Sequence, residues 1–254
     1  MITVADNLHG LNPIVQDAIK TLNPQPILEL VGQLEKSGAE MIDINPGYLS
    51  KRFEDRMRFL VETVQGATTA RLILDSPNPK LIEIGLSVCV EKPVINCVSL
   101  EKAKLDSILP LAADYGCDLV VLLMDELSFS PPGLEEKIAL ALTIYEHCVS
   151  AGIALEKLIF DPVLPSLSWD DGWRRIGEAI RTVRLLSTGA LFDLPVRTMV
   201  GLSNLRSGLK RYQPVEVDLN CLAMLCGAGL DYCLVDALEP RIVQLIKFAK
   251  NLLL

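Results

Sequence analysis

Apolar positions along this chain fall into two kinds of run. Short aliphatic runs occupy 2–5, 41–44, 71–74, 93–95, 119–123, 158–160, 196–200 and 232–235. Most are continuous rather than alternating, as parallel strands covered on both faces are. Between them lie longer segments with helical spacing of apolar residues, at 27–36, 55–65, 79–88, 100–115, 134–150, 169–186, 217–226 and 241–253. Gly38 and Gly116 follow two of these segments, where a helix C-terminus favours glycine. Pro79 stands early in another, where its missing N–H costs little. Eight strand–helix units predict a closed (β/α)8 barrel, an α/β fold of the TIM-barrel type, as a single domain over residues 1–254. A doubly wound open sheet usually has fewer strands, and no G-x-G-x-x-G follows the first strand. No linker, repeat or low-complexity tract divides the chain.

Composition sharpens this picture. Aromatics make up only 5% of the residues, so Leu, Ile, Val and Ala carry the apolar load, as in the branched aliphatic layers of a barrel. The net charge of −8 speaks against a nucleic-acid binder, which needs Lys and Arg to neutralise phosphates. No apolar stretch is long enough for a membrane span, and the N-terminus has no signal-peptide pattern. Seven cysteines, an odd number without a Cys-x-x-Cys, read as reduced thiols; a cytoplasmic setting is expected.

In such a barrel the chemistry sits on the loops after the strands. Each junction carries Asp or Asn: Asp6-Asn7, Asp43-Ile44-Asn45, Asp75-Ser76-Pro77-Asn78, Asn96, Asp125, Asp161, Asn204 and Asp236. Singly, each is explained as a helix cap or a loop residue. Together, Asp75, Asn96, Asp161 and Asn204 should face one mouth from four strands, with Asp43 and Asn45 beside them. Carboxylates and amides in one mouth suit a ligand rich in N–H donors and ring acceptors, such as a pterin. Other chemistries lack their residues. There are two histidines, His9 near the mouth and His147 in a helical segment, and no metal-ligand spacing; no metal is expected. A Ser-His-Asp system is unsupported, and no lysine stands at a strand end for a Schiff base.

Several segments then carry a family resemblance: Leu74-Asp75-Ser76-x-Asn78-x-Lys80-x-Ile82-Glu83-x-Gly85-Leu86, Ile95-Asn96, Asp161-Pro162, Gly201-Leu202-Ser203-Asn204, and Leu222-Ala223-Met224 with Gly227. In this order the chain resembles the pterin-binding methyltransferases that work with methyltetrahydrofolate and corrinoid proteins. They are related to dihydropteroate synthase. The resemblance implies that Asp75, Asn96 and Asp161 hold the pterin ring and that Asn204 sits at its N5. It implies 5-methyltetrahydrofolate or tetrahydrofolate as substrate, cobalamin (a corrinoid) carried by a partner protein, and a homodimer. Arg206, Lys210 and Arg211 could meet the folate tail or an acidic partner, or be a solvated loop. The chain departs from the family in Ala5-Asp6-Asn7-Leu8-His9, in Met124-Asp125, and in Asp218-Leu219 where an Asn-Arg pair is usual. Dihydropteroate synthase would show Ser-Arg-Lys after the seventh strand, where this chain has Ser203-Asn204-Leu205. The other readings are a phosphate-binding barrel using Gly201, Ser203, Ser207 and Gly208, and a non-catalytic pterin-binding subunit.

Overall fold

The computed structural model describes residues 1–47, 55–210 and 213–252. Eight parallel strands close into a barrel in sequence order, the first pairing with the last. They are β1 Ile2–Ala5, β2 Met41–Ile44, β3 Arg71–Asp75, β4 Val94–Val98, β5 Asp118–Leu122, β6 Leu158–Asp161, β7 Arg197–Gly201 and β8 Tyr232–Val235. Among the described residues the helices are α1 Pro13–Thr21, α2 Gln25–Ser37, α3 Asp55–Gln65, α4 Pro79–Val88, α5 Lys102–Tyr115, α6 Leu134–Ser150, α7 Gly172–Ser187, α8 Val215–Ala228 and α9 Pro240–Leu252. No helix among them is long and apolar enough to cross a membrane.

Gly38 and Gly116 end α2 and α5 in the left-handed region, at φ 91° and 60°. Pro79 opens α4 behind Asn78, whose side chain accepts from the Lys80 N–H. One helix falls outside the expected set. Asn12 caps α1 by accepting from the Ile14 N–H, and Val15, Ala18 and Ile19 bury its inner face.

The period of two along each strand builds the interior in layers. Val4, Met41, Ile73, Val94, Val120, Ile159, Met199 and Tyr232 point inward and pack on one another. Their neighbours, including Ala5, Ile42, Ile44, Leu72, Leu74, Ile95, Leu119, Val121 and Phe160, face the helices and form the outer core.

One step below the aliphatic layer, the same alternation turns Arg71, Asp118 and Arg197 inward at the N-terminal end. Asp118 lies 2.8 Å from Arg71, 2.9 Å from Arg197 and 3.5 Å from Lys157. Burial alone would raise its pKa, but the hydrogen bonds from Arg197 and Arg71 outweigh it and hold the carboxyl below its ordinary value. The N-terminal face of such a barrel serves stability. Asp118→Ala should therefore cost about 3 kcal/mol, because it strands a partly buried cluster of cations. The melting temperature should drop by roughly 10 °C. Ligand binding at the opposite end should be unchanged; a titration showing weakened binding would contradict this division of the barrel.

Candidate active site at the barrel mouth

One step above the aliphatic layer the inward row turns polar. Alternation from Val4, Met41, Ile73, Val94 and Ile159 brings Asp6, Asp43, Asp75, Asn96 and Asp161 to the mouth, with Asn45 one step higher. A register shift between Asn96 and Val98 lets β4 present Asn96 and then Cys97 to the interior, where Cys97 packs on the aliphatic layer.

Contacts tie this set together. Asn45 Nδ2 donates to Asp75 Oδ2 at 2.7 Å, and Asn45 Oδ1 accepts from the Gly47 N–H at 2.9 Å. Asn96 hydrogen-bonds Asp43, and Asp6 hydrogen-bonds Ser203. Asp161 Oδ1 accepts from the Val163 N–H at 2.7 Å, across a turn in which Val163 has φ 61°. Asp43 is buried, and its Oδ1 has no hydrogen-bond partner among the described residues.

Electrostatically the mouth is a desolvated acidic surface. Burial raises the pKa of all four carboxyls, the charged form being the one that loses water. Asp161 is pushed up to about 7, despite its bond to Val163 and the nearby Lys137. Asp75 is pushed up to about 6, against the Asn45 hydrogen bond and the Lys104 charge. Asp43 is raised well above its ordinary value by burial and then by Asp75 and Asp6. Asp6 is raised by burial and by Asp236, against its bond to Ser203. No cluster of His, Cys, Asp or Glu that could hold a metal ion is present among the described residues. A ligand with several N–H groups and partial positive charge is what these acceptors fit.

Asn204 lies over Gly201 at the top of β7: a Cβ on Gly201 would be 3.4 Å from Asn204 Nδ2. It sits inside a 3-10 turn, Leu202–Arg206, whose cap position is Gly201 and which has no side-chain cap. Asn204 is therefore not a helix cap. Asp125 and Asp236 do have the structural roles available to junction residues. Asp125 Oδ1 accepts from the Leu127 and Phe129 N–H groups, and Asp236 Oδ1 accepts from Leu238 N–H and Asn7 Nδ2.

The three basic residues read as meeting a folate tail or an acidic partner, or as a solvated loop, fare differently. Arg206 is spent within the protein: it donates to Asp218 Oδ2 at 2.6 Å, to the Gln213 carbonyl at 2.8 Å and to the Pro214 carbonyl at 3.3 Å. It fixes the approach to α8, and Asp218 is the residue standing where the family has its Asn-Arg pair. Lys210 is exposed, and Arg211 lies outside the described residues.

Two lysines behind the mouth escape a motif-based reading. Lys104, on the first turn of α5, faces Asp75 and pairs with Glu101 at 2.8 Å. Lys137, on the first turn of α6, is buried behind Asp161. A cation in the first turn opposes the helix dipole, which is the one local signal that either is there for another reason.

A family model described as a pterin binding enzyme matches residues 12–236, and the chain belongs to that family. A methylcorrinoid:tetrahydrofolate methyltransferase of Eubacterium limosum is 25% identical over 257 residues, covering 100% of this chain and 91% of that protein. The methionine synthase of Mycobacterium leprae (strain TN) is 23% identical over 243 residues; the match takes in 93% of this chain but 20% of that longer protein. Among solved structures, a Yersinia pestis dihydropteroate synthase with a pterine-sulfa conjugate superposes at TM-score 0.69 and 19% identity, over 99% of this chain and 92% of that one. The 7,8-dihydropteroate synthase of Vibrio fischeri ES114 gives TM-score 0.71 at 17% identity, over 99% and 93%. At these identities the two structures establish the shared barrel only.

The raised carboxyls make a stability prediction for the ligand-free protein. Asp161 has a native pKa of about 7 against an ordinary 3.8, so the native state binds more protons between those values. Its contribution to stability is best at low pH and is lost as pH rises from about 4 to about 7. Once ionised, the carboxyl costs the native state on the order of 4 kcal/mol. Relative to the wild type, Asp161→Asn should gain roughly 5 °C or more in melting temperature on going from pH 5 to pH 8, on top of a cost at both pH values from leaving the buried Lys137 without its anion. Melts at the two pH values check this; a difference between variant and wild type that does not move in favour of the variant from pH 5 to pH 8 would contradict it.

Proposed function

We propose that this member of the pterin-binding enzyme family is a methyltransferase that moves a methyl group between N5 of 5-methyltetrahydrofolate and the cobalt of a corrinoid protein. The observation that carries the reading is the row of buried Asp43 and Asp161 and half-buried Asp75 and Asn96 at the strand ends, together with an uncommitted Asn204 amide at the end of β7. It is supported by the full-length similarity to a methylcorrinoid:tetrahydrofolate methyltransferase.

In this reading Asp75 and Asp161 accept N–H groups from the guanidine-like edge and ring of the pterin, and Asn96 supplies both a donor and an acceptor. Asn45 holds Asp75 in place. Asp43 adds its open acceptor and its negative field from behind. The methyl group is bound to a tertiary amine, and an amide anion is a very poor leaving group. N5 must gain a proton or a strong hydrogen bond as the C–N bond breaks. Asn204 can follow that change, because its amide can turn from acceptor to donor. Stabilisation then falls on the transition state rather than on bound substrate. The corrinoid is a substrate delivered by a partner protein over the mouth, and orientation of the two reacting centres supplies much of the rate. The resemblance further implies a homodimer, and the reduced thiols suit a cytoplasmic setting.

A dihydropteroate synthase or other phosphate-binding barrel is the second reading, since such barrels hold phosphate at the loops after β7 and β8. Two observations weigh against it. Arg206 is engaged by Asp218 and two carbonyls. The cavity of about 280 Å³ at that place sets Asp218, Asp236 and Glu239 against Arg206 and Arg241, and both arginines are already paired with carboxylates.

The isolated chain should bind 5-methyltetrahydrofolate in the micromolar range or tighter and purify colourless. Asp75→Ala and Asp161→Ala should each weaken binding by about 2 kcal/mol or more, the cost of leaving a buried donor unpaired. Calorimetry showing wild-type affinity would remove that residue from the site.

Asn204→Ala should slow single-turnover transfer with cob(I)alamin by on the order of a hundredfold while leaving folate affinity within a few-fold. An unchanged rate would show that the reacting centre lies elsewhere. Binding without turnover in the wild type would favour a non-catalytic pterin-binding subunit.

A further inference from the structure

Lys137 is a cation with almost no access to solvent, 1% exposed, in a molecule whose other described lysines reach the surface at least in part. Its Nζ donates to Ser130 Oγ and to the Pro162 carbonyl, both at 2.6 Å. Ser130 belongs to the loop between β5 and α6, and Pro162 directly follows Asp161 at the end of β6. The side chain thus stitches two neighbouring mouth loops together from beneath. Arg175 adds a second tie, donating to the Ser130 carbonyl at 3.3 Å while its guanidinium lies 5.2 Å from the Trp169 ring.

Burying a lysine is costly, and two neutral acceptors do not account for a charge at this position. The anion that supports this charge is Asp161, which is itself buried and whose carboxyl accepts from the Val163 N–H. The other charged or titratable groups that face the pair are Glu136 on α6, Arg175 on α7, Cys97 on β4 and Cys233 on β8. The two thiols are held neutral by burial, Cys97 pushed up to about 12 and Cys233 well above its ordinary value. Glu136 and Arg175 oppose one another in their effect on Lys137. Lys137 is left as the cation that offsets the Asp161 charge from inside the fold.

We propose that Lys137 is a positioning residue for the pterin site: it holds the Asp161-Pro162 turn through the Pro162 carbonyl and keeps Asp161 in its ionised, N–H-accepting form at neutral pH. Lys137 does not touch the ligand. It acts through Asp161, and the proposal rests on the reading of Asp161 as a pterin acceptor. Burial still wins over pairing on both partners, pushing Asp161 up to about 7 and Lys137 down to about 8. The pair is therefore ionised only narrowly, and loss of the cation should move Asp161 across the physiological range.

The test separates this role from simple support of the fold, and separates its failure from failure of the proposed function. Carboxyl-carbon NMR titration of Asp161 in the ligand-free protein, assigned with Asp161→Asn, reads the pair without any folate. In Lys137→Met and Lys137→Gln the midpoint should rise by about one pH unit or more, and Lys137→Arg should keep it near wild type. Binding of 5-methyltetrahydrofolate should then weaken about tenfold at pH 7 in the Met and Gln variants. The gap should close towards pH 9, where Asp161 ionises without help. An unmoved Asp161 midpoint, or an affinity loss of the same size at every pH, overturns the proposal. Should both uncharged variants fail to fold, the wild type alone decides: the Lys137 Cε resonance must shift with the Asp161 titration, and its failure to do so overturns the proposal as well. Absence of folate binding in the wild type would remove the proposed function but leave the NMR result standing.

Discussion

Closing eight parallel strands into a barrel removes every edge and leaves side chains only two places to go. Alternate residues face the helices, and the residues between them face the axis. The chain fills the outward set with aliphatics throughout, and the inward set with aliphatics only at mid-height. Beneath that plug the inward row is Arg71, Asp118 and Arg197, where one carboxylate pairs with both guanidiniums. Above it the row is Asp6, Asp43, Asp75, Asn96 and Asp161, with no cation among them. One geometric rule thus yields an ion-paired base and an acidic mouth whose cations stand behind it. The base holds the barrel together. The mouth stores unfavourable charge that a donor-rich ligand can relieve.

This division explains what the sequence reveals and what it hides. Strand positions were legible because buried parallel strands are continuous aliphatic runs; β1, β2 and β8 have the expected bounds. The errors are at ends, where polar residues extend a strand that hydrophobicity alone would stop. Asp75, Asp161 and Gly201 each belong to their strands for this reason. The candidate carboxylates were legible for a related cause, since an Asp directly after an aliphatic run keeps the inward phase of that run. Helix α1 was missed although Asn12-Pro13 is a sound start signal, because nine residues give little more than two turns of periodicity.

The rest was hidden because it depends on contacts between distant elements. Nothing in the local sequence pairs Arg206 with Asp218, yet that bond takes away a guanidinium that would otherwise suit a phosphate or a folate carboxylate. Asn204 could have been a cap on composition alone; its position inside a 3-10 turn, over Gly201, makes it a free amide instead. Lys137 sits among Glu135 and Glu136, where an ordinary reading gives a solvated helix start. Its burial follows from the way α6 is laid against the end of β6, and that is a property of the closed barrel rather than of the segment.

The acidic mouth also bears on the chemistry assigned to it. Methyl loss from a tertiary amine needs positive charge or a donor at N5. Ionised carboxylates favour the charged form of a bound base, while the loss of water disfavours it, so the balance depends on how many of the acids are ionised. Burial is the main reason that Asp43, Asp75 and Asp161 are hard to ionise in the free protein; in the proposed complex, each of them that is ionised would make N5 easier to protonate. A fully ionised set would maximise that effect but cost the fold most. A fully protonated set would cost least but could accept no N–H. Cations placed behind the acids rather than among them, Lys104 behind Asp75 and Lys137 behind Asp161, allow an intermediate state. They stabilise each carboxylate from the helix side. Moving either lysine into the mouth would neutralise the acids just as well for folding, and would cancel the field that the proposed pterin chemistry needs.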